Sequence, residues 1–154
     1  MHTRTTTTSA TPNATADWLA RALRIPSVAH AEWAERGVAL LPLGERYDAV
    51  RIPAEVMRAA RPDPLPDILG PVVLDPYASH FYALVPPGTT HSWRSPLARC
   101  LGRGAWLGVP HVERTQPPGL HWVAPMETAG ALCSPTALSD LISKGHDQLT
   151  SRHP

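Results

Sequence analysis

Apolar and polar positions change rhythm along the chain, and each rhythm predicts an element. Trp18, Leu19, Ala22 and Leu23 lie on one side of a helix that Asp17 can cap. Pro26 stops it, because a proline disfavours helix in the residue before it. A second helix follows Ser27, with Val28, Ala31, Trp33 and Ala34 as its apolar positions and Gly37 as its C-terminal stop. The run at 38–43 is apolar throughout and predicts a buried strand closed by Gly44. Tyr47, Ala49 and Arg51 alternate with Asp48, Val50 and Ile52, the two-residue period of another strand. Pro53 then suits the first turn of a helix through Ala60 that carries Val56 and Met57.

Residues 61–66 (RPDPLP) read as an irregular connector. Residues 70–74 and 80–85 predict a hairpin around an Asp-Pro-Tyr-Ala-Ser turn, in which Asp75 is a turn residue. Phe81 and Tyr82 then point to opposite faces. Ser95 is expected to cap a short helix through Leu101. Residues 105–109 and 120–123 predict two more strands, with Trp106 and Trp122 in the core. Ser134-Pro135 opens a last helix through Ile142. The order is helix, helix, strand, strand, helix, mostly strands, helix. It lacks the alternation of a parallel α/β sheet. The expected fold class is α+β: a mixed, largely antiparallel sheet with helices packed on it, in a single domain over 16–143. Residues 1–15 and 144–154 are expected to be disordered tails.

Composition sharpens this picture. The 154 residues include 18 prolines and 10 glycines, which favours short elements and excludes a long helical bundle or coiled coil. No apolar run approaches the length of a membrane span. The Thr-rich start has no signal-peptide apolar core, and the two cysteines, Cys100 and Cys133, make no disulfide framework. A reducing cytoplasm is the expected location, with no membrane partner. Lys144 is the only lysine and Asn13 the only asparagine, as in GC-rich, bacterial coding. The arginine content therefore carries no signal by itself.

Net charge is +1, so no overall field draws the chain to a polyanion. The distribution is more informative. No acid occurs from 76 to 112, a stretch that holds Arg94, Arg99 and Arg103 with His80, His91 and His111. Walker, Rossmann and Gly-x-Ser-x-Gly motifs are absent. His30-Ala-Glu32 and His111-Val-Glu113 match half of a zinc deaminase signature, but the closely spaced cysteine pair is missing. No Asp/Glu-x-Asp pair is available for two-metal chemistry. Trp93 beside Arg94 could stack a base or close a core edge.

Four stretches together resemble a known family. Residues 31–43 (AEWAERGVALLPL) are similar to the opening of bifunctional primase–polymerase N-terminal domains, where a helix ending in Arg-Gly enters a strand finishing Pro-Leu. Residues 75–87 (DPYASHFYALVPP) resemble that family's histidine-bearing strand, and 104–110 and 120–125 its closing strands. Small actinobacterial relatives of this group are also similar. The resemblance implies an archaeo-eukaryotic primase-like fold with nucleotide and template in a cleft, and His80 at the position of the phosphate-contacting histidine. Active members carry an Asp-x-Asp/Glu metal pair, which this chain lacks. The implied version is a degenerate, non-catalytic module.

Three functional expectations follow. The first is binding of single-stranded DNA or nucleotide, with His80, Arg94, Arg99 and Arg103 on phosphates and Tyr82 or Trp93 stacking. The second is a protein-interaction or regulatory module that kept the fold and lost the site. The third is a cryptic metal-dependent nucleotidyl-transfer enzyme, with Asp48, Asp75 and His80 as separate ligands for magnesium or manganese. Outside that third case no catalytic residue and no cofactor is expected.

Overall fold

A computed structural model describes residues 12–60 and 70–151. The connector at 61–66, residues 1–11 of the expected N-terminal tail and residues 152–154 of the expected C-terminal tail lie outside the described residues. The elements in chain order are α1 (Pro12–Ala20), α2 (Ser27–Arg36), β1 (Val38–Pro42), β2 (Asp48–Pro53), α3 (Ala54–Ala60), β3 (Val72–Asp75), β4 (His80–Val85), β5 (Arg99–Leu101), β6 (Trp106–Pro110), β7 (His121–Ala124) and α4 (Pro135–Ser151). The fold is α+β, and every strand pairing is antiparallel. There are two sheets among the described residues. One is a five-stranded sheet in the order β5-β2-β4-β3-β7, and the other a β1-β6 ribbon.

The five-stranded sheet is covered unequally on its two faces. Val50, Ile52, Phe81, Ala83, Val85 and Val72 point to α3 and α4, where Met57, Leu138 and Ile142 complete one core. The opposite face presents Ala49, Leu84, Val73 and Trp122 to α1, α2 and the ribbon, a second core. Three aromatics pin that second layer with both body and polar tip. Trp33 Nε1 donates to Val109 O at 2.8 Å, Trp122 Nε1 to Pro110 O at 3.1 Å, and the Tyr47 hydroxyl to Leu19 O at 3.2 Å. Each buries a large apolar ring and leaves no orphaned donor.

Several sequence expectations need correction. The first helix starts at Pro12, which fits a first turn, so residues 12–15 are helical. Asp17 lies inside the helix and pairs with His30 Nε2 at 2.9 Å. In α2 the buried stripe is Ala29 and Trp33, one turn apart, and Val28 is exposed. Gly37 ends α2 in the left-handed conformation, as expected. No helix forms over 95–101. Ser95 Oγ accepts Leu97 N–H at 3.2 Å in a local turn, and 99–101 join the sheet as β5. Trp106 faces outward, because Leu107 and Val109 take the inner face of β6.

The last helix runs to Ser151, well past the expected tail boundary at 144. Gly145 lies inside it, at the contact with α3. A Cβ there would meet the Val56 carbonyl oxygen and, at 2.7 Å, the Ala60 Cβ. The glycine lets α4 lie against α3; it does not end the helix. Gly145→Ala is therefore expected to destabilise the protein by about 1–2 kcal/mol, because overpacking outweighs the gain in helix propensity. Chemical denaturation would check the sign.

Candidate phosphate-binding cleft

At the end of β2 and β5 that carries Arg51 and Arg99 lies a cleft of ≈ 500 Å³, and its walls include Arg51, His80, Thr90, Trp93, Arg99 and Cys100. Strand register builds it. Arg51 on β2 stands directly opposite Arg99 on β5 and Tyr82 on β4, and Pro53 stands opposite His80. Residues directly opposite share a face, so Arg99, Arg51, Tyr82 and His80 lie together on one side of the sheet. The His80 and Tyr82 ring centroids are 6.4 Å apart.

Two arginines directly across a ladder repel, at a cost of roughly 0.2–1 kcal/mol. Among the described residues no acid lines the cleft, and neither arginine has an ion-pair partner. Nδ1 of His80 is buried and has no hydrogen-bond partner among the described residues. This is a cationic, donor-rich concavity, and Asp75, which stands opposite His80 on the same face, is not among its lining residues. A guanidinium fork suits a phosphate or carboxylate. Burial pushes the Tyr82 phenol above its ordinary value, the Arg51 guanidinium opposes that, and Asp75 adds to it.

The cleft rim is held by a buried carboxylate. Asp48 is 1% exposed, and its Oδ2 accepts Gly88 N–H at 3.1 Å, Thr90 N–H at 3.0 Å and the Thr90 hydroxyl at 2.7 Å. Those bonds fix the 3₁₀ turn Thr89–His91 beside β5. The Thr90 oxygen in turn lies 3.6 Å from Cys100 Sγ. Asp48 Oδ1 is buried without a partner among the described residues. Gly102 is required here, since a Cβ would collide with the Thr90 hydroxyl.

Asp48 and Asp75 cannot share a metal. Asp48 pairs with Val85 and Asp75 with His80, at opposite ends of β4 and on opposite faces. Five residues of strand separate them by about 17 Å. Asp75 Oδ1 instead accepts Tyr77 N–H and Ala78 N–H, as a turn residue does. Among the described residues no group of three His, Cys, Asp or Glu side chains could hold a metal ion. The two His-x-Glu pairs do not form a zinc site. His30 and His111 both pack edge-on against Trp33, and Glu32 accepts Leu40 N–H.

Of the sequence candidates, the structure gathers His80, Trp93 and Arg99 in the cleft and sets Tyr82 beside it. Trp93 is a wall more than a free platform, since its Nε1 donates to Ala98 O at 2.9 Å and its ring packs on the α3–α4 core. Arg94 is exposed outside the cleft. Arg103 is at the other end of β5 and pairs with Glu45 at 2.7 Å. The acid-free stretch thus does not form one basic surface. Arg51 was missed by sequence reasoning. Its signal was an arginine among the buried positions of β2.

Burial disfavours the thiolate at both cysteines. Burial pushes Cys133 up to about 12 and also raises Cys100, which Thr90 lowers and Asp48 raises further. At pH 8 on the order of one Cys133 in ten thousand is then thiolate, against roughly a quarter of free cysteine. Iodoacetamide is expected to leave Cys133 unmodified in the folded protein and to label it after denaturation. Peptide mass mapping reads this directly.

No helix among the described residues is long and apolar enough to cross a membrane. Compared with known protein families, curated proteins and solved structures, the chain matches none.

Proposed function

We propose that the chain is a non-catalytic binding module for a nucleotide or single-stranded nucleic acid, gripping phosphate in the Arg51–His80–Arg99 cleft. The observation that carries this reading is the Arg51–Arg99 cross-strand pair with no acid among the cleft-lining residues. A bound phosphate relieves the repulsion and is met by both forks. The resemblance of residues 31–43 and 75–87 to primase–polymerase domains selects nucleotides among phosphate ligands, and His80 sits in the cleft wall. The separation of Asp48 from Asp75 favours binding over nucleotidyl transfer. A second reading, a protein-interaction module, draws on an apolar surface elsewhere on the molecule.

The test is fluorescence anisotropy of labelled oligo(dT) at low salt, competed by unlabelled nucleotide. Saturable binding that nucleotide displaces supports the reading. No binding at low salt, where phosphate contacts are strongest, refutes it.

A further inference from the structure

On the far side of the molecule from α3 and α4, the large apolar side chains gather in the open. Among the described residues the exposed large hydrophobics are Ile25 at 63%, Val28 at 45%, Leu40 and Trp106 at 55%, and Tyr77. Tyr77 belongs to the β3–β4 turn. The other four lie together. Ile25, Val28 and Trp106 line one groove of ≈ 740 Å³ with Pro42. Leu40 continues it, because Leu40 and Pro42 stand opposite Gly108 and Trp106 on the outer face of the β1–β6 ribbon. The inner face of that ribbon is buried core, and on the outer face Leu120 lies over the Gly108 end, which leaves Leu40, Pro42 and Trp106 as a second apolar surface.

The groove's rim has one sign. Arg21, Arg24 and Arg46 stand on it, all exposed and without ion-pair partners among the described residues. The one acid among its described lining residues, Glu45, is occupied by Arg103. Contiguous apolar patches on small proteins mark interaction sites, and tryptophan and arginine dominate binding hot spots. The charge then selects the occupant. A second copy docked about a two-fold axis would set arginine rim against arginine rim. A nucleic acid strand needs successive ring platforms, and here one tryptophan stands among aliphatic neighbours. What complements both floor and rim is a segment with apolar anchors flanked by carboxylates.

We propose that the Ile25–Val28–Trp106 groove docks an acidic amphipathic segment of a protein partner. Its apolar side chains fill the floor, and its Asp and Glu residues meet Arg21, Arg24 and Arg46. This surface is separate from the phosphate cleft and does not depend on it.

The test uses the full chain and a labelled peptide of about four helical turns, with leucine and phenylalanine at helical spacing and glutamate elsewhere. A twin with lysine for glutamate, and labelled oligo(dT), are the comparison probes. The acidic peptide is expected to bind saturably, and the lysine twin at least tenfold more weakly. Trp106→Ser and Arg24→Glu are each expected to weaken the acidic peptide about tenfold or more, while circular dichroism stays native. Both positions are exposed, so either variant alone decides the matter if the other misfolds. Absence of saturable binding, equal binding of the lysine twin, or indifference to both substitutions would overturn the proposal. So would displacement of the peptide by oligo(dT), or a dimer in sedimentation that Trp106→Ser dissolves.

Discussion

Asp48→Ala is expected to lower stability by about 3 kcal/mol, and with it the thermal midpoint by about 6–12 °C. The carboxylate is buried on β2 and accepts three hydrogen bonds from Gly88 and Thr90. Truncation takes the acceptor from three part-buried donors on the turn that follows β4. The loss is less than three charged hydrogen bonds would suggest, because removing a buried charge also removes its desolvation cost. Asp48→Asn keeps the shape and one acceptor oxygen, so it should lose about half as much. Scanning calorimetry on both variants checks the order. Since Thr90 lines the cleft, the alanine variant should also weaken ligand binding, whereas a stability loss with unchanged affinity would detach Asp48 from the site.

The second large effect moves two observables in opposite directions. Arg51→Ala and Arg99→Ala should each weaken oligo(dT) binding about tenfold, and together about a hundredfold. Arg99→Ala should at the same time raise unfolding stability by a few tenths of a kcal/mol, because it ends the like-charge contact across the ladder. A residue kept for packing would lose stability when truncated. One kept for a ligand at the expense of the fold gains it. Arg94→Ala and Arg103→Ala are expected to change affinity less than twofold, since Arg94 lies outside the cleft and Arg103 is held by Glu45. Equal losses at all four positions would mean a diffuse basic surface instead of a cleft.

What could be read from the sequence was what is local. The two-residue alternation of Tyr47, Ala49 and Arg51 with Asp48, Val50 and Ile52 located β2, and Gly37 marked the end of α2. Asp75 could be read as a turn residue from the proline after it. Elements whose form depends on distant partners were not legible. The polar residues after Ile142 look like a tail until α4 is seen to lie along α3, and Ser95 looks like a cap until β5 pairs with β2. Trp106 and Trp122 read alike, yet one is exposed and one buried, because only the sheet pairing decides which face of each strand is covered. The site divides in the same way. His80, Trp93 and Arg99 carried local signals, whereas Arg51 enters only because register sets it opposite Arg99. Arg103 leaves because the fold brings Glu45 to it.

The most direct test of the cleft is the salt dependence of its affinity. Each phosphate neutralised on a single strand contributes a slope of about −0.7 to log K against log salt. Arg51 and Arg99 alone account for a slope of about −1.4, and one further phosphate neutralised at the cleft brings it to about −2. Anisotropy titrations of oligo(dT) across a range of sodium chloride concentrations give that number, and the account predicts a value between the two. A slope near zero, or one steeper than about −3, would contradict it: the first would leave no phosphate in the cleft, and the second would require cations that the structure places elsewhere.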